Sequence, residues 1–240
     1  MENKKIRLDK YLSNMGIGSR TEVKKQIRTG FVTVNGKPVS DPGTLIGEEE
    51  VCFCGEKVVY REFFYLMLHK PQGVLTATED SRRQTVLDLL DPQYRKMNLF
   101  PVGRLDKDTE GLLLLTNDGR LAHNLLSPKK RVVKKYFAQV RGRLCERDIE
   151  SFGEGILLSD GYRCLPAELS ILSSEEISEA EVRITEGKFH QVKRMFRAVG
   201  KEVLYLKRLS MGELILDALL PLGGYRELTE EEKKILEKYR

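Results

Sequence analysis

The spacing of apolar residues divides the chain into two parts, and the first part is helical at its start. Leu8, Leu12 and Met15 recur at the spacing of one helix face, which predicts an amphipathic first helix. The segment Ser19-Arg20-Thr21-Glu22 has the sequence of a capping box, so a second helix is expected to begin there. Thr29-Gly30 is a typical helix ending, and it sets the expected end of this second helix.

Strands are expected to follow the two helices. The stretch FVTVNGKPV alternates apolar and polar residues on both sides of Asn35-Gly36, the dipeptide typical of a tight hairpin turn. Residues 41–62 are acidic and contain glycine, which predicts one last strand and then a connection. The order helix, helix, hairpin predicts a small separate domain over residues 1–60.

The remainder of the chain, residues 63–240, shows short apolar runs and period-two alternation. The run FFYLMLHKP is expected to end as a strand at Lys70-Pro71, because proline stops a central strand. Further strands are expected at 112–115, 136–140, 167–172 and 180–184, and helices near 84–90, after Glu146, over about 190–199 and after Thr229. This mixture predicts an α+β domain with a mixed, largely antiparallel sheet.

Composition is that of an ordinary soluble protein, with 40% hydrophobic and 32% charged residues among 240. We find no amino-terminal apolar segment with a cleavage site and no run near the roughly 20 apolar residues needed to span a bilayer. A cytoplasmic protein without a membrane partner is therefore expected. The four cysteines and three histidines show no zinc-ligand spacing, although Cys52 and Cys54 are expected on one strand face. Reduced thiols and no bound metal are expected.

Positive charge is concentrated in three blocks, although the net charge is only +5. Residues 1–40 contain nine Lys or Arg against three acids, residues 119–145 eight against none, and residues 187–208 seven against one. A single basic block is usually a solvated face, but three together favour a surface that follows phosphates. On the second helix, Arg20, Lys24 and Arg28 share one face as a basic stripe.

The stretch GRLDKDTEGLLLLTNDG places an acidic loop immediately before a buried strand. Asp106 is expected in the loop, Leu112–Leu115 in the strand, and Asn117-Asp118-Gly119 in a turn that ends it. The same segment starts like an EF-hand, but Asn117 stands where a calcium loop needs a bidentate Glu, and a strand replaces the exiting helix. Gly16-x-Gly18 follows a helix and lacks a third glycine, so it does not indicate a dinucleotide loop.

Four stretches in this order resemble the pseudouridine synthases: LHKPQG at 68–73, GRLDKDTEGLLLLTNDG at 103–119, KKYFAQV at 134–140 and EGKFHQVKRMF at 186–196. The segment before them resembles the S4 RNA-binding domain, so the resemblance covers essentially the whole chain. HQVKRMF and the ending YRELTEEE look most like the branch that acts on small-subunit (16S) ribosomal RNA. The Lys-Pro-x-Gly of the first stretch is a weak signal alone, whereas GRLD with its leucine strand is specific.

The resemblance implies roles for three residues: Asp106 as the catalytic aspartate, Tyr136 as the active-site tyrosine and Lys193 as its basic partner. Other branches often have Arg at the position of Lys193, and a lysine cannot make the bidentate fork of a guanidinium. A cation within about 4–6 Å would lower the pKa of Asp106 and keep it ionised. Tyr136 offers a flat face for an unstacked uracil.

The helix over 190–199 is expected to place Lys193 at the border of its buried stripe, while His190, Arg194 and Arg197 lie on the basic side. Candidate RNA contacts across the whole chain are Arg20, Lys24, Arg28, Arg104, Lys129, Lys130, Arg131, His190, Gln191, Arg194 and Arg197.

Converting uridine to pseudouridine consumes no water and changes no oxidation state, so no cofactor is expected. The implied partner is structured ribosomal RNA or a pre-ribosomal particle, and a monomer is expected. Two alternatives stay open. One is the same enzyme acting on large-subunit RNA, and the other is a non-catalytic ribosome-associated protein that binds RNA through S4 alone.

Overall fold

The structure is a computed structural model that describes residues 5–240, so the first four residues of the expected domain 1–60 lie outside it. The described chain forms two compact units. One contains the residues up to Phe64 together with Leu90–Phe100, and the other contains Tyr65–Leu89 and Pro101–Arg240. Residues 90–100 therefore group with the first unit, which their own sequence pattern does not indicate.

The first unit contains short elements packed around a small apolar core. Its helices are α1 (Leu8–Asn14), α2 (Arg20–Arg28) and α3 (Pro92–Arg95), and its strands are β1 (Ile6–Arg7), β2 (Val32–Val34), β3 (Lys37–Pro38), β4 (Leu45–Ile46), β5 (Val51–Phe53) and β6 (Glu56–Val58). Four strands form an antiparallel sheet in the order β3-β2-β5-β6, and β1 pairs with β4. Leu8, Leu12, Val23 and Ile27 are fully buried between these elements. Each such side chain contributes about 1.5–3 kcal/mol relative to an exposed one.

The local signals of the first unit are confirmed. Ser19 Oγ accepts a hydrogen bond from the Glu22 amide at 3.3 Å, and the Glu22 carboxylate accepts one from the Ser19 amide at 2.8 Å. Asn35 and Gly36 have positive φ angles of 48° and 74°, as a tight hairpin turn between β2 and β3 requires. The predicted capping box and the predicted hairpin turn are therefore both present.

Residues 41–62 differ from the expectation of one last strand, because β4, β5 and β6 all lie there. Cys54 and Gly55 have φ angles of 51° and 84° and form a second tight turn between β5 and β6. Cys54 is thus in a turn, and the expectation that it shares a strand face with Cys52 is wrong. A Cys-Gly pair is a weaker turn signal than Asn-Gly, since Cys has no special tolerance of positive φ. Both thiols are free.

The second unit is built on a large sheet. Its strands, including the one at its border with the first unit, are β7 (Tyr65–Lys70), β8 (Phe100–Pro101), β9 (Glu110–Thr116), β10 (Lys134–Arg141), β11 (Glu168–Ser173), β12 (Ile177–Ile184), β13 (Glu202–Met211), β14 (Leu214–Ile215) and β15 (Tyr225–Glu227). The helices are α4 (Gly119–Leu126), α5 (Glu146–Glu154), α6 (Gln191–Ala198) and α7 (Glu230–Glu237), with 3-10 turns at Val86–Leu89 and Pro128–Lys130.

The main path of this sheet runs β11-β12-β10-β13-β9-β7-β15. The β9–β13 pair is parallel and the other pairs on the path are antiparallel. The expected α+β class with a mixed, largely antiparallel sheet is confirmed. In the part of the chain that the structure describes, no helix is long and apolar enough to cross a membrane.

Strand β9 lies inside the sheet and follows the Asp106 loop. Leu112–Leu115 are all buried, as expected for a strand covered on both faces. At its start, Gly111 has a φ of 108°, and a Cβ there would overlap the backbone of Arg208 on β13. Only glycine therefore allows β9 to approach β13 this closely, which fixes where the loop before β9 emerges.

Strand β9 ends at Thr116, as expected, and the chain bends at Asn117, but the expected turn does not continue through Gly119. Gly119 is instead the first residue of helix α4, and Asp118 caps this helix by accepting a hydrogen bond from the Leu121 amide at 3.0 Å. Asp is favoured both in turns and at helix N-caps, so the segment Asn117-Asp118-Gly119 alone does not distinguish a turn from the start of a helix. The apolar positions of α4, Leu121 and Leu125, decide the outcome by packing into the core.

Candidate active site

The candidate site is centred on Asp106, in the loop that leads into β9. The Asp106 carbonyl accepts a hydrogen bond from the Thr109 amide at 3.0 Å, which closes a turn. Thr76 fastens the loop on its other side: its hydroxyl donates to the Leu105 carbonyl at 2.8 Å and accepts from the Leu105 amide at 3.2 Å. The Asp106 carboxylate is partly exposed, so it is held by its backbone and accessible to a ligand.

Lys70 holds this loop in place through hydrogen bonds to backbone carbonyls. It ends β7 and is fully buried, and its ammonium donates to the carbonyls of Pro71 (2.9 Å), Asp106 (3.1 Å), Lys107 (3.3 Å) and Thr109 (3.0 Å). Burial lowers the pKa of Lys70 to about 8. The ammonium has three hydrogens for four carbonyl acceptors, so these backbone carbonyls share one buried donor group.

Sequence reasoning assigned Lys70 no role. A lysine at the end of an apolar strand normally extends its charged end to water. The sequence feature that indicates this role is a lysine directly before Pro71 at the end of a strand. A chain that leaves a strand at proline has backbone carbonyls without strand partners, and these carbonyls require a hydrogen-bond donor.

Lys193 on α6 reaches Asp106, as predicted, but shares its charge with a second carboxylate. Its Nζ lies 3.7 Å from Asp106 Oδ2 and donates a shorter hydrogen bond to Asp108 Oδ1. Burial is the largest single influence and raises the pKa of the Asp108 carboxyl, but the hydrogen bond and the charge of Lys193, with smaller contributions, together outweigh it, so the pKa is lowered. Asp108 therefore holds Lys193 at the site, a role that sequence reasoning missed.

His190 also faces Asp106, with Nε2 at 3.5 Å from Oδ1. Its backbone is left-handed, with a φ of 49°, and its ring stacks on Phe189 with centroids 3.8 Å apart. The sequence suggested an RNA contact for His190. The structure instead brings it to the carboxylate, where a protonated imidazole would form a second ion pair.

Tyr136 on β10 completes the site and is 8% exposed. It lines a small pocket of about 70 Å³ together with Asp106, Thr109, His190 and Leu206. A larger cleft of about 1280 Å³ shares Asp106 and Tyr136 with this pocket. Tyr136, the Asp106 carboxylate and His190 therefore line one pocket within the second unit, and Lys193 reaches the same carboxylate from α6.

Two of the candidate RNA contacts on α6 make hydrogen bonds or an ion pair with other residues of the protein. Gln191 is buried, and its amide donates to Glu186 at 2.8 Å and accepts from the Lys188 amide at 2.8 Å. Arg194 forms an ion pair with Asp160 at 2.6 Å. Gln191 therefore supports the start of the helix; it also lines the pocket that contains Asp106, and its contact with RNA stays a prediction.

The other candidate RNA contacts lie on the surface of their own unit. In the first unit, Arg20 and Lys24 lie 3.6 and 3.9 Å from the buried carboxylate of Asp9, and Arg28 is exposed. In the second unit the exposed residues are Arg104 at the cleft, Lys129, Lys130 and Arg131 after α4, and Arg197 on α6. Among residues 5–240, no group of three or more His, Cys, Asp or Glu is placed to hold a metal ion.

Comparison with known proteins identifies two families along the chain. Residues 64–198 match the family described as RNA pseudouridylate synthase, and residues 6–52 match the S4 domain. A curated relative from Bacillus subtilis, an uncharacterised RNA pseudouridine synthase, is 53% identical over 234 residues, which cover 96% of this chain and 98% of the relative.

Two further relatives are each 39% identical. The ribosomal large subunit pseudouridine synthase B of Bacillus subtilis aligns over 96% of this chain and 95% of its own. The ribosomal small subunit pseudouridine synthase A of Vibrio cholerae aligns over 95% and 97%. A crystal structure of a pseudouridylate synthase superposes with a TM-score of 0.68 at 36% identity and covers 96% of this chain and 99% of that one. The chain therefore belongs to the RNA pseudouridylate synthase family and carries an S4 domain before its synthase domain.

Proposed function

We propose that this protein converts a uridine of ribosomal RNA, in the small subunit, to pseudouridine, with Asp106 as the essential carboxylate. The observation that carries the proposal is the position of Asp106, which lines the cleft together with Tyr136 and lies 3.5 Å from His190 and 3.7 Å from Lys193. A partly exposed carboxylate on a rigidly held loop is accessible to a nucleotide and does not depend on the nucleotide for its position.

The reaction breaks the bond between C1′ and N1, turns the uracil and joins C1′ to C5. An ionised carboxylate serves this chemistry in either of two ways: it attacks the sugar as a nucleophile, or it removes a proton at C2′. Both routes need a negative Asp106, and the Lys193 ammonium lies 3.7 Å from its carboxylate. Tyr136 is proposed to lie against the uracil while it turns.

The target base must leave its stack to reach this pocket, since Tyr136 is buried and lines, with Asp106, a pocket of only about 70 Å³. We therefore propose a loop or single-stranded uridine within structured RNA or a pre-ribosomal particle. The S4 domain, over about residues 1–60, is proposed to bind the RNA outside the reacting nucleotide, and residues 63–240 to carry the catalysis. Neither metal nor cofactor takes part in the proposed chemistry.

The small-subunit assignment rests on the motif HQVKRMF, the ending YRELTEEE and the likeness to the small-subunit enzyme of Vibrio cholerae. The equal identity to a large-subunit enzyme of Bacillus subtilis supports the alternative of large-subunit RNA. A non-catalytic S4 protein is disfavoured, because a pure binder gains nothing from a carboxylate placed among groups that contact bases. A cytoplasmic monomer is part of the proposal.

The test is to map pseudouridine across ribosomal RNA from cells that lack this protein and from the same cells supplied with the parent or with Asp106→Asn. We expect one small-subunit position to lose pseudouridine on deletion and to regain it only with the parent. A lost position in the large subunit would replace the small-subunit assignment. An unchanged map, or a map restored equally by Asp106→Asn, would overturn the proposed function.

A further inference from the structure

Two buried cations lie beside Tyr136 and face the larger cleft. Arg208 on β13 is 2% exposed and is the direct neighbour of Tyr136 across the β10–β13 pair. Lys134 is 6% exposed and lies two residues before Tyr136 on β10, on the same strand face. Both side chains line the cleft that also contains Asp106.

Among the described residues, neither cation has an acidic partner within ion-pair distance. Arg208 Nε donates to the Leu112 carbonyl at 2.8 Å, which fixes the plane of the guanidinium. Its Nη2 is buried and has no hydrogen-bond partner in residues 5–240. The guanidinium is therefore held rigidly with a donor still unused.

The carboxylates that line the same cleft are already engaged. Glu186 accepts hydrogen bonds from the Tyr162 hydroxyl and the Gln191 amide, at 2.6 and 2.8 Å. Asp106 faces the basic residues of α6, and Asp80 pairs with Arg83. No anion in the described chain therefore neutralises Lys134 and Arg208.

This arrangement is costly for the folded protein. A buried cation without a counterion is destabilising, and a second cation nearby adds repulsion. Burial, with a smaller contribution from the charge of Arg208, lowers the pKa of Lys134 to about 8. Groups kept in such an unfavourable state are concentrated at binding and catalytic sites.

The position of the two cations indicates which part of the substrate they contact. Asp106 and Tyr136 line both the small pocket and the cleft, whereas Lys134 and Arg208 line only the cleft. Lys134 is displaced from Tyr136 by two residues, roughly 6–7 Å along the strand. With a uracil against Tyr136, Lys134 would thus face the adjoining backbone, where each phosphate carries a full negative charge, and Arg208 lines the same cleft beside it.

We propose that Lys134 and Arg208 together bind a backbone phosphate immediately next to the target uridine, and that this contact holds the unstacked nucleotide in register with Asp106. This inference rests on the proposed function, because it assumes an RNA substrate at Asp106. A guanidinium with a fixed plane suits a phosphate oxygen, and the ammonium supplies a second charge. Both are positioning residues, since neither reaches the reacting atoms.

The test uses an RNA stem-loop that contains the mapped uridine, made with ordinary phosphates or with one uncharged methylphosphonate, placed either 5′ or 3′ of that uridine. For the parent, we expect one of the two positions to raise KM about tenfold or more with kcat changed by less than about threefold. For Lys134→Met, KM should already be raised by a similar factor, and the same methylphosphonate should cost at most about twofold more. Methylphosphonate penalties that are equal in parent and variant would overturn the inference.

Lys135→Met is the matched control. Lys135 is the neighbouring lysine on the same strand, but it lies on the other face and pairs with Glu181 at 2.7 Å. It should respond to the methylphosphonate as the parent does. Arg208→Lys, which keeps the charge, gives the second test: it should lose less affinity than Arg208→Met, with thermal melting used to select variants that fold. Equal losses in the two folded variants would also overturn the inference.

A footprint separates this inference from the proposed function. The full chain is treated with an amine-acylating reagent, with and without small-subunit ribosomal RNA, and peptide mass spectrometry measures Lys134 against Lys135. Protection of Lys134 by RNA without any pseudouridine formation would support the phosphate site and refute the proposed activity. Pseudouridine formation with Lys134 equally labelled in both conditions would refute the phosphate site and leave the activity standing.

Discussion

At the scale of single residues, Asp106 is defined by its charge and by its fixed backbone. We predict that Asp106→Asn reduces pseudouridine formation to below about 1% of the parent while RNA affinity stays within about tenfold, because asparagine keeps the shape but loses the nucleophile or base. Single-turnover assays and filter binding on the same RNA measure the two quantities. Appreciable turnover by this variant would remove Asp106 from the chemistry.

Lys193 differs from the other cations of α6 because it touches two carboxylates. We predict that Lys193→Met lowers kcat by about 100-fold with little change in the salt dependence of binding, since a charge next to the reacting carboxylate is lost. Arg197→Met, on the exposed side of the same helix, should mainly raise KM and flatten the salt dependence. If both variants lose affinity alike, Lys193 is only another phosphate contact.

Lys134 should lower stability in the free protein. We predict that Lys134→Met is more stable than the parent by on the order of 1 kcal/mol at neutral pH, because an uncompensated buried charge is removed. The folded parent releases the Lys134 proton near pH 8, whereas the unfolded chain keeps it to about 10.5. Parent stability therefore rises across this window, and the advantage of the variant should shrink there.

Urea denaturation of parent and Lys134→Met at pH 7 and pH 10 measures this difference. Lys70 titrates in the same range in both proteins, so it cancels in the comparison. A variant that is less stable than the parent at pH 7 would show that Lys134 is compensated in the folded protein.

At the scale of elements, Lys70 at the end of strand β7 holds the Asp106 loop through hydrogen bonds to its backbone. We predict that Lys70→Met destabilises the fold by about 3 kcal/mol, because buried carbonyls lose their donor. The variant should also lose kcat under conditions where it is folded, since the Asp106 backbone is no longer fixed. Lys107→Met, exposed on the same loop, should keep the stability of the parent. A Lys70→Met protein with parental stability and kcat would contradict the anchoring role.

Elements with strong local signals were predictable from sequence alone. The capping box at Ser19, the Asn35-Gly36 turn and the apolar run of β9 each specify their conformation within a few residues. Elements decided by distant packing were missed. Strand β13 contains the basic residues Lys207 and Arg208 among its apolar ones, and its identity depends on pairing with β9 and β10.

The site shows the same division. Asp106, Tyr136 and Lys193 could be named because their motifs resemble a known family, and the structure brings them together. Lys70 and Asp108 could not be assigned, since each acts through a contact with a residue far along the chain or with backbone carbonyls. Residue type and spacing identify the side chains that react or bind more readily than they identify the side chains that hold those residues in place.

At the scale of the whole molecule, basic residues occur on both compact units, so each unit is expected to contribute its own share of RNA binding. Lys24 and Arg28 represent the first unit, and Lys129 and Lys130 the second; all four lie outside the Asp106 pocket. Arg20 is left intact because, with Arg7, it lies closer to the buried Asp9 than Lys24 does, at 3.6 Å against 3.9 Å, so the two arginines still neutralise Asp9 when Lys24 is replaced. Two double variants, Lys24→Gln/Arg28→Gln and Lys129→Gln/Lys130→Gln, therefore test the units separately.

We predict that each double variant weakens RNA binding and reduces the slope of log affinity against log salt by about 1–2 units, because each lost phosphate contact releases one counterion fewer. The quadruple variant should show the sum of the two effects, since sites without shared partners act independently. In all three proteins kcat should remain within about threefold of the parent, because phosphate contacts position the substrate without taking part in bond making. Binding titrations at several salt concentrations, with kcat measured at saturating RNA, give these values. A parental salt slope in the Lys24→Gln/Arg28→Gln protein would mean that the S4 domain does not bind the RNA through its α2 stripe, and a lost kcat in either double variant would place that surface within the active site.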